Sequence, residues 1–509
     1  MASITSQITF PALAAIGVPI ATALYVSRWW AEGKKNSPPL VPYVFPIIGS
    51  SLEYNKDPKG FIKKAMEKYG STFRIYVNGR VQTIVGKDDV RGVILDEKFS
   101  FDDALRDLFD LDAMFFGNDS GEFTTNIHPV ITKHITPNLK YFTPRVVQKL
   151  IEYEKNWLKD AHAGPITLDD PLPMIQDMVA NASASIFVGE KLCENKEFLH
   201  TSKTITTDIG NVFKTGGVLF LVPALSKLYQ TLLFRFMNPT SRHLEVIRKT
   251  IGPEVERRVR EARKEAWDRP QDVLQGMIEM LPPDTPTSTM IRRIAYDMIT
   301  LIFASILTTT LNSLSVLYAI ADHEEYVDEL LEEQEAVLAE EENEENEENE
   351  EAEEGTKFNM RTLKKMVKLD SFLREVFRFS GPAAVLAHKN MHSNHVLSDG
   401  HVVAKGEHVM MNTFEIYGDE SLQGPNTEVF DPWRFVNKAK QASKVGPDYL
   451  KFGMGKHACP GRFFAIQEIK TLVSLLISKY RITRPENDKT VRDPSVIVEK
   501  GPLVFTRRE

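Results

Sequence analysis

The chain has 509 residues, 42% of them hydrophobic, with 62 basic and 70 acidic side chains for a formal net charge of −8. That is enough apolar material to bury a large core, and two cysteines, Cys193 and Cys459, are too few for a disulfide-built secreted scaffold, which points to a reducing compartment. Residues 340–354, EEENEENEENEEAEE, hold eleven acids and no base, so the remainder stands at +3: no nucleic-acid partner is indicated, and a mildly basic body suits an anionic membrane or an acidic partner.

In chain order, the first element is ITFPALAAIGVPIATALYV, residues 8–26, nineteen residues without a charge. As a helix it spans about 28 Å, close to the hydrocarbon thickness of a bilayer. No Lys or Arg precedes it, so the basic start of a secretory signal is missing. Trp29 and Trp30 suit the interface, and Arg28, Lys34 and Lys35 place the following chain on the cytosolic side. Residues 1–27 are therefore read as a single-pass membrane anchor rather than a buried helix or a cleaved leader. Residues 28–50 contain Pro38, Pro39, Pro42 and Pro46 and predict a stiff, proline-rich hinge.

Residues 51–509 predict one large body, mainly α with a minor β region. TFRIYV and RVQTIVG alternate around Asn78-Gly79 and predict a hairpin. Helical patterns dominate from about 140 to 338, and Cys193 lies among them as a small packed residue. The longest pattern covers 290–338, and its centre is apolar nearly all round, so it should cross the core. Residues 339–355 read as a disordered acidic insert, because like-charged polar repeats bury too little to offset their ordering entropy. Residues 361–379, RTLKKMVKLDSFLREVFRF, predict a further helix, and 463–480 a final core helix, with short strand and turn signals between them.

Between those two helices and overlapping the last stands KFGMGKHACPGRFFA, residues 451–465. Pro460 suits the first position of a helix, which would set Cys459 at a helix N-terminus, where backbone N–H groups favour a thiolate. Gly453, Gly455 and Gly461 let the main chain approach a flat ligand closely. The pattern Phe-x-x-Gly-x-x-x-Cys-x-Gly arises by chance in roughly one chain per thousand of this length.

This loop resembles the haem-binding loop of the cytochrome P-450 family, and in particular its fungal microsomal members. The resemblance implies the cytochrome P-450 fold and a haem b whose iron takes Cys459 as its axial thiolate, a ligand that pushes electron density onto the metal. Phe452 would pack on the haem, Gly453, Gly455 and Gly461 would shape the loop, and His457 would meet a propionate. The family's Glu-x-x-Arg helix is matched by Glu375 and Arg378, which share a helix face, and its Pro-x-Arg-Phe stretch by Pro432–Phe435. Glu375, Arg378 and Arg434 would form a buried triad fixing the cysteine loop, a role that needs the fork of an arginine. In FASILTTT, residues 303–310, Ala304 and Ser305 stand at the family's small pair, and Thr308, with Thr309 beside it, at the oxygen-handling threonine. Its hydroxyl can bond a helix carbonyl and order a water that relays protons. Leu307 departs from the family, which has an acid there, so protons must take another route through water at Thr308 or Thr309. His388, His128 and Lys133 fall where the family contacts haem propionates, with plain surface roles open for the last two. The spacings of His388, His392, His395 and His401 fit no single metal site.

Segments expected to face substrate, 101–116, 303–307, 382–386 and 495–498, are mostly apolar, so a hydrophobic molecule is indicated. TGGVLFLVPALSKLY, residues 215–229, reads either as an entry loop dipping into a bilayer or as a packed helix. No nucleotide-binding Gly-x-Gly-x-x-Gly follows a strand, so electrons must come from outside. The expectation is a monooxygenase of the endoplasmic reticulum membrane, with its catalytic domain in the cytosol and NADPH-cytochrome P-450 reductase as partner. It would hydroxylate a steroid or terpenoid; a fatty acid or xenobiotic is the alternative substrate. A reductase-independent isomerase or dehydratase on the same fold, and a non-catalytic haem sensor, are the competing readings.

Overall fold

The computed structural model describes residues 36–45, 48–116, 127–216, 223–264, 267–348, 358–486 and 500–508. The anchor expected at 1–27, the start of the hinge, much of the 215–229 segment and the 495–498 stretch lie outside these residues. Two compact units emerge.

Among the described residues, the smaller unit takes in 36–45, 48–109, 223–227 and 382–416. Its centre is a five-stranded sheet ordered Phe73–Val77, Arg80–Val85, His408–Asn412, Ala384–Asn390, Phe99–Ser100. The first pair is the hairpin expected from the sequence, and Asn78 and Gly79 both have positive φ, +50° and +72°, as a tight primed turn requires. Arg80–Val85 then runs parallel to His408–Asn412, while the remaining pairs are antiparallel. Ile62, Phe73, Ile75, Ile84 and Ala383 form a dry cluster on the sheet.

The larger unit, with its described residues within 110–216, 228–381 and 417–508, is mainly helical, with a sheet of Ile166–Leu168, Leu503–Arg507 and Tyr480–Thr483 and an irregular stretch over 424–461. Its axis is the 36-residue core helix Thr287–Asp322, which contains neither Gly nor Pro. It packs against Leu172–Phe187, Pro239–Glu261 and Arg462–Lys479. The pattern read as continuous to 338 breaks at His323 (φ −135°, ψ 53°), whose ring stacks on Phe430 at 4.4 Å. A second helix then runs Val327–Glu348.

That second helix corrects the expected disorder over 339–348, where its last turns belong to the acidic run; 349–355 lie outside the described residues. Glu340 pairs with Lys365 at 3.1 Å, and Glu341, 6% exposed, accepts from Asn359 Nδ2 at 2.9 Å. Cations and an amide from the next helix thus neutralise the start of the run, which composition alone left unpaired. The helix expected over 361–379 is likewise two, Met360–Lys365 and Val367–Phe379. The break falls at Met366, whose carbonyl accepts from the buried Lys470 Nζ at 2.9 Å.

Candidate functional site

In the cysteine loop, Gly453 has φ +71°, and a Cβ there would stand 3.0 Å from the His457 carbonyl oxygen, so both conformation and space demand glycine. Gly455, at φ +64°, opens a 3₁₀ turn that ends at His457. The Cys459 N–H then donates to the Phe452 carbonyl at 2.7 Å and closes the loop. The following helix begins at Arg462 with Gly461 as its cap, two residues later than Pro460 suggested. Cys459 therefore precedes the helix rather than opening it. Even so, the N–H groups of Gly461 and Arg462 reach its sulfur.

Burial pushes the Cys459 thiol up, while those two N–H groups and the Arg462 charge pull the other way. The side chain is nonetheless accessible. A sulfur served by two backbone donors and still reachable is the donor set that a metal-bound thiolate needs. Gly461 adds a second clue. Its φ is −81°, and a Cβ would lie 4.0 Å from Sγ, an ordinary contact. Nothing among the described residues requires glycine there, whereas a planar ligand held against the loop would.

Glu375, fully buried, sits at the centre of a charged cluster. Arg378 donates to both its oxygens at 2.8 Å, and Arg434 Nε donates to Oε1 at 3.0 Å, as does the Asp431 N–H at 3.1 Å. The remaining guanidinium N–H groups are spent on backbone: Arg378 on Tyr417 O, Arg434 on the carbonyls of Pro425, Asn426 and Val429 at 2.7–2.9 Å. Three residues expected together from separate motifs are thus in direct contact, and they pin the segment leading toward the cysteine loop.

Arg374 was not anticipated. Its guanidinium lies between the rings of Tyr449 (3.9 Å) and Phe435 (4.8 Å) and donates to the carbonyls of Gln441 and Lys444. Tyr417, its phenol pushed up by burial, accepts the Leu450 N–H at 3.1 Å, two residues before Phe452. Lys451 lies between these anchors and the loop, 4.7 Å over the Phe377 ring, with its ammonium pushed down to about 8 by burial.

On the core helix, Ala304 and Thr308 are exposed, although Ile302, Ile306, Thr309 and Thr310 around them are buried. Their spacing of four puts them on one helix face. Thr308 Oγ1 donates to Ala304 O at 2.8 Å, and Asn312 Nδ2 donates to Thr308 O at 2.7 Å. The two threonine candidates part here: Thr308 is on the accessible face and Thr309, 3% exposed, points into packing. Beside them Phe303 meets Phe115 edge to face at 5.3 Å.

His388 belongs to the smaller unit; it is 1% exposed, with Nδ1 2.6 Å from Leu386 O and its ring 5.7 Å from Phe101. His128 and Lys133 are exposed, on the helix Ile127–Val130 and the π turn Ile131–Ile135 that follows it. A last unforeseen group is Glu468 on the final helix, 1% exposed and bonded by Ser183 Oγ at 3.1 Å. Burial pushes its carboxyl up to about 8.

A cytochrome P450 family model matches residues 38–506. Among curated proteins, cytochrome P450 monooxygenase 71 of Postia placenta is 27% identical over 490 residues, covering 92% of this chain and 93% of that protein. Cytochrome P450 monooxygenase AN1598 of Emericella nidulans is 31% identical over 374 residues, covering 69% and 65%. Of solved structures, a retinoic acid-bound cyanobacterial CYP120A1 superposes with a TM-score of 0.64 at 18% identity over 93% of this chain and all of that one, a likeness of fold. With the glycine-shaped loop around Cys459 and the Glu375 cluster behind it, the match along nearly the whole chain has one meaning: the protein belongs to the cytochrome P450 family of monooxygenases, whose haem iron is ligated by a cysteine.

Proposed function

We propose that the protein is a membrane-anchored hydroxylase of the endoplasmic reticulum that acts on a steroid- or terpenoid-like substrate with electrons from NADPH-cytochrome P450 reductase. The observation that carries this reading is the accessible face of the core helix, where the exposed Thr308 hydroxyl stands among Phe303, Ala304 and Leu307, with the half-buried Ser305 and Asn312 beside it. A largely apolar wall with few polar groups admits a lipophilic molecule, and its exposed hydroxyl marks where a proton can be handled.

Cys459 would hold the iron, with Phe452 and the loop glycines against the ring and His457 at its edge. When bound, the haem supplies oxygen activation, one atom of O₂ entering a substrate C–H bond and the other leaving as water on two electrons and two protons. The protein's part is positional. Gly461 and Arg462 hold the sulfur through their N–H groups. Phe303, Ala304 and Leu307 exclude bulk water from the substrate side. Thr308 spends its proton on Ala304 O, which leaves its oxygen lone pairs to accept from a water. With Leu307 in place of an acid, that water is the proton donor next to the substrate.

Membrane association is supported by the helix Pro223–Phe236, on which Leu228, Leu232 and Phe236 are 55%, 47% and 76% exposed, followed by Met237 at 76%. Such a stripe favours an interfacial position. The test is reconstitution of the full chain in microsomes with a panel of sterols, terpenoids and fatty acids. Hydroxylation of a sterol or terpenoid that requires both NADPH and added reductase is expected. Turnover of a lipid hydroperoxide without either would favour the isomerase reading to which Leu307 lends itself, and turnover of fatty acids alone would overturn the substrate class.

A further inference from the structure

A cavity of about 490 Å³ lies in the larger unit, lined by none of the side chains assigned to iron ligation or oxygen handling. Leu139, Leu363 and Ile466 form its walls, and Met360, Val367 and Phe463 its rim, 42%, 48% and 39% exposed. Apolar side chains of this size left open around one concavity are a standing cost that an occupant would relieve.

The charges that line it are unbalanced, four lysines against one aspartate. Two of the lysines are spoken for: Lys470 bonds Met366 O and lies 3.5 Å from Asp370, and Lys440 lies 2.8 Å from Asp448. Lys364 and Lys438 are exposed, and among the described residues no carboxylate stands within ion-pair distance of either.

We propose that this cavity binds a small amphiphile with an anionic head, a long-chain carboxylate, its tail among Leu139, Leu363 and Ile466 and its head between Lys364 and Lys438. The volume is that of a small-molecule site, and its lining sets seven apolar side chains beside ten polar or charged ones, which suits a ligand with an apolar tail and a charged head, whereas a protein partner needs roughly 800 Å² of matched surface. Phe463 and Ile466 lie on the first turns of the helix that begins at Arg462, so the occupant rests on the element whose N–H groups serve Cys459 Sγ.

The test uses the haem-loaded full chain with its haem site saturated by an azole, so that a carboxylate bound as substrate is excluded. Calorimetric titration with dodecanoate below its micellar concentration should give one site. Dodecyltrimethylammonium should bind far more weakly and dodecanol in between. The double variant K364E/K438E should lose about tenfold for dodecanoate and little for dodecanol, and V367W, which fills the cavity, should abolish both. The carbon monoxide complex of each variant certifies its fold. Absence of binding to the azole-saturated protein, equal binding of the cationic amphiphile, or unchanged binding in V367W would each overturn the proposal.

Discussion

Replacing Glu375 by glutamine changes one atom and removes one charge, yet it should be among the most damaging substitutions available. The carboxylate accepts four hydrogen bonds, from Arg378 twice, from Arg434 and from the Asp431 N–H. An amide offers one oxygen, and its NH₂ would confront an arginine N–H, donor against donor. Arg378 and Arg434, 6% and 4% exposed, would then be two buried cations with no anion between them. Removing one member of a buried ion pair costs about 3–5 kcal/mol, against a typical domain stability of roughly 5–15 kcal/mol. The same bidentate geometry occurs between Arg269 and Glu279, at 2.7 Å for both bonds, but there the side chains are 43% and 38% exposed. Glu279→Gln should therefore cost at most about 1 kcal/mol. The assay is thermal loss of the carbon monoxide complex, together with the fraction of purified protein that carries haem. A Glu375→Gln protein with full haem content and a midpoint equal to that of Glu279→Gln would refute the reasoning, because burial would then not be what gives the cluster its weight.

Thr308→Ala should lower product formed per NADPH consumed, with the balance appearing as hydrogen peroxide, whereas Thr309→Val should leave that ratio unchanged; product and peroxide assays on both variants check it. Gly461→Ala should fold, since its Cβ meets nothing closer than Sγ at 4.0 Å, but should bind haem more weakly, as read by haem titration beside circular dichroism. Glu468 gives a pH dependence. Its folded value near 8 lies above its ordinary 4.5, so the stability it contributes is full below pH 4.5 and is lost as pH rises toward 8 and through it. Wild type should thus lose more of its thermal midpoint between pH 6 and 9 than Glu468→Gln, and equal slopes would count against a neutral buried acid.

The parts of the site that were legible in the sequence are those whose meaning sits in local spacing. The cysteine loop closes on itself through one bond from Cys459 to Phe452, and Glu375 and Arg378 meet across a single helical turn. Arg374 is adjacent to Glu375 and yet escaped notice, because its partners lie 61 to 75 residues away and act through ring faces, which leave no periodic trace. Glu468 reads as a solvated acid on a helix; only Ser183, 285 residues distant in sequence, reveals it as buried. Element ends moved for tertiary reasons too. Lys470 takes the Met366 carbonyl and splits one predicted helix, and Lys365 lets another extend into the acidic run.

The claim on which the rest depends is that the Cys459 sulfur is the iron ligand. Spectra of the reduced protein under carbon monoxide test it most directly. A thiolate-type Soret band in the wild type that disappears in Cys459→Ser is the predicted result. A histidine-type band in the wild type, or an unchanged thiolate band in the variant, would contradict it.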